Sequence, residues 1–202
     1  LTNMGFIAAV DGEDGALLWI GEYPRLDARG RREAVRTENR WQANPILPVH
    51  EDLVIAPQDS PYLIGVEKTT GDITWQAPRE NGSTLIGADG RACFVAGSEV
   101  TAFTHTGEER GRILWRRDIG AGPSGGASSH PLGRAALTWD AILLPTRGAV
   151  VTMSPSDGKL ISRTLWDFAG GGGNLLLTSS LLAVTNPEGI LVYGDRARER
   201  AW

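Results

Sequence analysis

The sequence predicts an all-β chain, a β-propeller fragment of about four four-stranded antiparallel blades. Short apolar runs recur along the chain, and each is followed by a glycine and, in three copies, by a tryptophan four residues after that glycine. The runs are rich in Val, Ile, Leu and aromatic residues, which favours strands. No stretch keeps the i, i+3, i+4, i+7 spacing of an amphipathic helix over three turns.

The repeat begins with an apolar run at 6–11, 63–67, 100–103 and 150–153. The first two copies align without a gap, the third has a connection three residues longer, and in the fourth Ser162 stands in place of the tryptophan. Successive repeat glycines are 56, 40 and 47 residues apart, which are spacings typical of four-stranded blades. The predicted structural repeat residues are Gly15, Trp19, Gly71, Trp75, Gly111, Trp115 and Gly158.

Further apolar runs supply the neighbouring strands of each blade. Runs at 52–56, 92–96 and 141–144 precede the second, third and fourth copies, and each ends at a turn signal. The runs 181–185 and 190–193 begin a fifth unit that the sequence does not finish. The chain is therefore predicted to be a series of antiparallel meander units.

The repeat glycines and tryptophans have a mechanical explanation. A glycine that follows Asp, Thr or Arg adopts a positive φ without steric cost, as a tight hairpin between twisted strands requires. A tryptophan four residues later faces the same side as the glycine, so its ring would be buried between adjacent blades. We interpret these tryptophans as structural, and stacking on a ligand along an open groove is the alternative.

Two segments stand outside the strand pattern of this partial propeller, which is assigned to residues 1–194. The final residues, 195–202, are good helix formers and predict the start of a helical segment. The longest insertion between copies interleaves opposite charges, which is typical of a solvated loop. Insertions in propellers emerge on one face and often contact partners. An acidic partner would meet the arginines of this insertion, Arg25, Arg29, Arg31, Arg32, Arg36 and Arg40.

The pattern Val-Asp-x-x-Asp-Gly-x-x-x-Trp at 10–19 and its copy at 66–75 resemble the quinoprotein-like (PQQ-like) propeller repeat. Stretches 44–60 and 172–193 are similar to the propellers of large planctomycete-type bacterial multidomain proteins. The resemblance implies a non-catalytic scaffold region of a larger bacterial protein, which binds a protein partner or neighbouring domains of the same chain. It also suggests an extracytoplasmic or cell-envelope location. The alternative is part of a quinone-dependent oxidoreductase propeller.

The enzymes that share this repeat differ from the present sequence. The resemblance implies for them a vicinal disulfide, a calcium ion held by carboxylates and amides, and a catalytic aspartate. The single cysteine, Cys93, cannot form that disulfide, and no run matches the calcium and catalytic signature. No catalytic, cofactor-binding or metal-binding residue is therefore predicted, and no small-molecule ligand.

Patterns typical of other enzymes lack the context that their chemistry needs. Residues 120–125 satisfy G-x-G-x-x-G and residues 122–126 satisfy G-x-S-x-G, but neither pattern precedes a predicted helix. The acidic cluster at 11–14 lacks the later ligands of a calcium loop. The histidines are too widely spaced for a short zinc motif.

Composition excludes further classes of partner. A formal net charge of −4 and a pI near 5.4 provide no basic field for a nucleic acid. The apolar runs fall far below the roughly 20 residues that span a bilayer, so no membrane insertion is predicted.

A closed propeller covers both faces of every blade, and the outer units of this sequence are incomplete. We expect the apolar faces around Phe6, Ile7, Leu191 and Val192 to be left uncovered. The chain alone should then self-associate or aggregate, whereas a longer chain that completes the ring should not. A compact, cooperatively melting monomer would indicate a small closed ring instead.

Overall fold

The structure of the chain is a computed structural model. Its described residues form strands and turns and contain no helix, which confirms the predicted all-β class. The helical start predicted for 195–202 lies outside the described residues. The described residues are 5–26, 44–120, 130–166 and 171–194 of a chain of 202.

The strands form five sheets in chain order, and the second, third and fourth sheets have four strands each, as expected for propeller blades. The first sheet (β1–β2) has two strands and the fifth (β15–β17) has three. Within each sheet, strands that are consecutive in the sequence are neighbours, as in the antiparallel pairs β1–β2, β5–β6, β13–β14 and β16–β17. The strands are β1 Phe6–Val10, β2 Leu17–Glu22, β3 Leu47–Val49, β4 Asp52–Ile55, β5 Tyr62–Glu67, β6 Ile73–Pro78, β7 Thr84–Ala88, β8 Ala92–Ala96, β9 Glu99–Thr104, β10 Ile113–Asp118, β11 Ala136–Leu137, β12 Ile142–Pro145, β13 Ala149–Met153, β14 Leu160–Leu165, β15 Asn174–Leu177, β16 Leu181–Asn186 and β17 Gly189–Gly194.

The chain divides into two compact units. The first consists of Leu1–Gly97 and Thr101–Trp115, and the second of Ser98–Val100 and Arg116–Trp202. The first unit contains the first and second sheets (β3–β6 is the second) and most of the third (β7–β10). The second unit contains the fourth sheet (β11–β14) and the fifth.

The second sheet is buried on both faces, because successive side chains of a strand point to opposite sides. On one face Ile55, Ile64 and Val66 pack with Ile7 and Trp19 of the first sheet. Strand β5 accordingly has four consecutive buried residues, as expected for a strand between two layers. The other face packs on the third sheet through Val54, Leu63, Trp75, Ala77, Leu85, Cys93, Val95 and Phe103.

In the second unit the fourth and fifth sheets share one hydrophobic core. Val150 of β13 is buried with Leu175 of β15 and Val184 of β16. Partly buried Leu143 and Leu191 pack against these three side chains. The sheets of this unit therefore stack face to face, as those of the first unit do.

The apolar residues expected to be uncovered are divided between the two faces of their sheets. Ile7 is buried against the second sheet and Leu191 packs in the core of the second unit, so the expectation was wrong for both. Val192 is exposed, as expected, and Phe6 is partly buried. The reason is the two-residue period of a strand, which turns neighbours such as Leu191 and Val192 to opposite sides.

The repeat tryptophans connect adjacent sheets of the first unit. The Trp19 ring lies against Gly71, which follows β5, and the Trp75 ring lies against Gly111, which follows β9. Each ring therefore contacts the turn of the following sheet. Glycine permits this approach because it carries no Cβ atom.

The tryptophan rings differ in burial. Trp75 and Trp115 are buried, and Trp19 is partly buried. Trp75 Nε1 donates to Asp52 Oδ2 of β4 at 3.2 Å, and Trp19 Nε1 donates to the Lys68 carbonyl at 2.9 Å. Among the described residues no strand lies beside β1 in the position that β4 has beside β5, so Trp19 lacks an equivalent of Asp52.

The repeat glycines all adopt the left-handed conformation, with φ between +71° at Gly158 and +84° at Gly111. At Gly71 (φ +80°) a Cβ atom would also collide with the Trp19 ring. At Gly15 (φ +75°) a Cβ atom would meet nothing within 4 Å. The two positions therefore separate the cost of the backbone conformation from the cost of the tryptophan contact.

We predict that Gly71→Ala lowers the free energy of unfolding by about 3 kcal/mol, because the left-handed backbone costs about 1 kcal/mol and displacing the ring costs about 2 kcal/mol more. The matched control Gly15→Ala should lose only about 1 kcal/mol. Urea unfolding monitored by tryptophan fluorescence measures both. Equal losses for the two variants would contradict the role given to the tryptophan contact.

Candidate partner-binding site

The charged insertion between β2 and β3 is fastened at both ends to the same loop of the second sheet. Residues 27–43 lie outside the described residues, but Leu26 and Asn44 are described. The Leu26 amide donates to the Asp59 carbonyl at 2.7 Å. Asn44 Nδ2 donates to the Ala56 carbonyl at 2.6 Å. The insertion thus leaves and rejoins the sheet at the loop that connects β4 to β5.

Asn44 also connects the insertion to the third sheet. Its side-chain oxygen accepts a hydrogen bond from the Leu85 amide of β7 at 2.8 Å. A single amide side chain therefore bridges the loop after β4 and the first strand of the next sheet. A side chain that donates and accepts in this way has its orientation determined by its partners.

The other end of the insertion is held by a buried carboxylate. Tyr23 Oη donates to Asp59 Oδ1 at 2.9 Å, and Arg25 Nε lies 3.0 Å from Asp59 Oδ2. Desolvation and the hydrogen bond to Asp59 raise the pKa of Tyr23 well above its usual value, so the phenol remains a neutral donor at physiological pH. Hydrogen bonds that involve a charged group are about twice as strong as neutral ones. The chain at 23–25 is therefore held firmly where the insertion begins.

A buried guanidinium stabilises the loop on which both ends rest. Arg79, at the end of the β6 strand, donates to the carbonyls of Pro57, Ser60 and Tyr62 at 2.5, 3.1 and 3.1 Å. It also donates to the Ser83 carbonyl at 2.7 Å. Burial lowers the pKa of Arg79 to about 10, so the side chain is still charged at neutral pH. A rigid fork with five N–H donors suits such a set of carbonyls.

The loop that connects β4 to β5 forms a structured base for the two described ends of the charged insertion. Hydrogen bonds hold each part of this arrangement. Tyr23 binds Asp59 where the insertion begins, Asn44 binds the Ala56 carbonyl where it ends, and Arg79 binds the Pro57 carbonyl within the loop. Binding residues are often carried on loops that a rigid scaffold positions. The arrangement holds both described ends of the insertion at one loop of the second sheet.

Other sequence features lie away from this base. Cys93 is buried in β8, and desolvation raises the pKa of its thiol to about 12, so it is not a nucleophile at neutral pH. The patterns at 120–125 and 122–126 fall largely outside the described residues. Within the described ranges no three His, Cys, Asp or Glu side chains are grouped so that they could hold a metal ion. The same part of the chain has no helix with the length and apolar character to cross a membrane.

Several structural residues of this site carried no recognisable signal in the sequence. Asp59 was visible only as part of a turn, and Tyr23 and Arg79 belong to no motif.

In the second unit Trp166 donates from Nε1 to the Thr146 carbonyl at 2.7 Å and packs against the shared core. Trp166 lies beyond the repeat position that Ser162 occupies, which is why spacing alone did not assign it a role.

The repeat geometry agrees with a known family. Residues 3–195 match the family described as outer membrane protein assembly factor BamB. The chain belongs to the BamB family. The expected PQQ-like propeller repeat is therefore confirmed, since the match covers nearly the whole chain.

Solved structures show the same fold. BamB from Moraxella catarrhalis is 15% identical with a TM-score of 0.65, and the match covers 96% of this chain and 56% of that chain. Quinohemoprotein alcohol dehydrogenase from Comamonas testosteroni is 12% identical with a TM-score of 0.57, over 93% of this chain and 36% of that chain. The computationally designed Ika8 protein is 11% identical with a TM-score of 0.64, over 96% of this chain and 54% of that chain.

These similarities extend to the fold alone. This BamB-family chain spans little more than half the length of the Moraxella catarrhalis protein. No curated protein sequence matches the chain significantly. The chemistry of the chain must therefore be argued from its own residues.

Replacing Arg79 with Met should lower the free energy of unfolding by about 4 kcal/mol, because several buried carbonyls lose their donor at about 1–3 kcal/mol each. Arg79→Lys keeps the charge with fewer donors and should lose less. The control Arg117→Met changes an exposed arginine of β10 and should stay within about 0.5 kcal/mol. Chemical denaturation measures all three, and similar losses at positions 79 and 117 would count against the structural role of Arg79.

Proposed function

We propose that the chain is a non-catalytic propeller region that binds a protein partner, or holds neighbouring domains, within a larger bacterial protein. The observation that carries the proposal is the fastening of both ends of the charged insertion to one buried polar base, by Asp59 and Asn44. A long segment held at both ends loses less conformational entropy on binding than a free one. The name of the matched family, an assembly factor, supports a protein-binding role.

The charge of the insertion favours an acidic partner. Residues 27–43 contain five arginines and three acidic residues, whereas the whole chain has a formal net charge of −4. A locally basic segment on an acidic protein steers association with an acidic surface and disfavours non-specific contacts. We therefore place the main partner contact of the proposed function on this insertion.

The alternative function is part of a quinone-dependent oxidoreductase. The fold similarity to quinohemoprotein alcohol dehydrogenase favours it. At 12% identity the similarity concerns the fold, and function depends on residues that the fold does not determine. The single cysteine of the chain cannot form the vicinal disulfide of those enzymes.

Charge reversal in the insertion tests the partner contact. A photo-crosslinking residue at Thr37 would capture the partner in cells that make the protein, and the purified pair would then be titrated. Arg31→Glu with Arg32→Glu should weaken binding at least about tenfold, since like charges then face each other. The matched control, Arg116→Glu with Arg117→Glu on β10, makes the same change of charge elsewhere and should leave the affinity unchanged. Unchanged binding by the insertion variant, or an equal loss in the control, would rule out this contact.

Titration with pyrroloquinoline quinone and with Ca²⁺ tests the alternative function. We expect no tight binding of either by calorimetry, because the sequence lacks the residues that hold them in the enzymes. Free Cys93 should also remain a thiol throughout. Submicromolar quinone binding would overturn the non-catalytic proposal and favour the oxidoreductase.

A further inference from the structure

The turn that connects β6 to β7 carries an exposed asparagine followed by glycine. The Ser83 amide donates to the Glu80 carbonyl at 3.2 Å, and Gly82 has φ +78°. A hydrogen bond of this span around a left-handed glycine is typical of a tight β-turn. Asn81 lies at the tip of the turn and is exposed to solvent. Asn81 and Gly82 form the one Asn-Gly pair in the sequence.

An asparagine that precedes glycine can lose its side-chain amide in a reaction with its own backbone. The Gly82 nitrogen gives up its proton and bonds to the side-chain carbonyl carbon of Asn81, and the side-chain nitrogen leaves as ammonia. Glycine has no Cβ atom to hinder this approach. Within the described part of the chain the Gly82 amide donates no hydrogen bond, so none has to be broken. A water molecule then opens the succinimide ring at either carbonyl and leaves aspartate or isoaspartate.

The other asparagines that the structure describes lack this combination. Asn44 and Asn186 precede proline, whose nitrogen carries no hydrogen. Asn174 precedes Leu175, whose amide donates to the Arg134 carbonyl at 2.8 Å. The Asn174 side-chain oxygen also accepts from the Arg134 amide at 2.8 Å, which fixes its orientation. Among the described asparagines, the one in the turn between β6 and β7 is therefore the least restrained.

A buried contact lies directly behind this turn. Ser83 is 3% exposed, and its hydroxyl donates to the Glu80 carbonyl at 2.6 Å. Arg79 Nη1 donates to the Ser83 carbonyl at 2.7 Å and to the Ser83 hydroxyl at 3.0 Å. The planar guanidinium requires acceptors in fixed positions. The length of the turn therefore decides whether this contact forms, because one short segment carries both partners.

The two products of the reaction differ in the length of their main chain. The peptide bond of isoaspartate runs through the side-chain carbon atoms, so the main chain between residues 81 and 82 gains a carbon atom. Aspartate leaves the main chain unchanged and adds only a negative charge. Asn81 is exposed, and a charge at an exposed site interacts weakly with its neighbours. The two products therefore separate the effect of backbone length from the effect of charge.

We propose that Asn81 is a site of spontaneous deamidation, and that its isoaspartate product displaces Ser83 from Arg79. The reaction needs water and no other component. The Pro57 and Ser60 carbonyls accept from Nη2 of Arg79 instead, so the loss is confined to the turn. The modified chain keeps its fold and has a weaker connection between β6 and β7.

Incubation of the purified chain at neutral and mildly alkaline pH, followed by peptide mass spectrometry, tests the first step. We expect the peptide that contains Asn81 to change from amide to acid, and to do so faster at higher pH because the attacking nitrogen must lose its proton. Peptides with Asn174 and Asn186 should remain amides. Asn81→Gln should react at least about tenfold more slowly, because the longer side chain is poorly placed for ring closure. Reaction at Asn81 in the urea-unfolded chain and none in the folded chain would overturn the inference, as would equal rates at Asn81 and Asn174.

Thermal unfolding tests the second step. Anion exchange separates the deamidated chain, and an isoaspartyl methyltransferase measures its isoaspartate content. The isoaspartate form should melt about 5 °C below the unaltered chain, since hydrogen bonds to a charged donor are lost. The matched control Asn81→Asp has the same charge on a normal backbone and should melt within about 2 °C of the unaltered chain. Equal shifts for the isoaspartate form and Asn81→Asp, or no shift for either, would contradict the displacement of Ser83.

Discussion

The contact between a tryptophan ring and the turn glycine of the next sheet governs the packing of the first unit. The ring of Trp19 lies against Gly71 and the ring of Trp75 lies against Gly111, so at both places an indole packs directly on glycine backbone of the next sheet. Each indole also needs a hydrogen-bond partner when it is buried. Lys68 supplies a carbonyl for the first ring and Asp52 supplies a carboxylate for the second. Trp75 and Trp19 also belong to the two apolar clusters that lie between these sheets.

Buried polar groups near the two ends of β4 have different structural roles. At its start Asp52 accepts from the Trp75 indole and pairs with Arg110 at 3.0 Å, which connects the second sheet to the turn that follows β9. Beyond its end Asp59 and Arg79 organise the loop that carries the insertion. Buried polar groups stabilise a fold only when their partners are in place. One end therefore strengthens the stacking of sheets, and the other provides a firm base for the proposed partner contact.

The repeat allowed the fold to be predicted from the sequence. Features that depart from the repeat could not be predicted in the same way. The repeat, with its apolar runs, turn signals and glycine spacing, predicted the antiparallel meander order and the four-stranded sheets, because each of these marks reports a local turn or one side of a strand. It did not distinguish the covered side from the open side at the outer sheets, which is why Ile7 and Leu191 were expected on the wrong surface. It also gave no role to Trp166, whose contact with Thr146 depends on how the end of β14 meets the turn after β12.

The sequence by itself determined the class of fold, the position of the turns and the absence of the disulfide found in the related enzymes, because those properties follow from local spacing and residue type. Only the tertiary structure decided which groups hold the insertion. Tyr23, Asp59 and Arg79 are far apart in the sequence, and no periodic pattern connects them. Their interaction arises because the stacking of sheets brings the end of β2, the loop after β4 and the end of β6 together. The buried charged groups of Asp59 and Arg79 then form hydrogen bonds with the carbonyls and side chains that the stacked sheets place beside them.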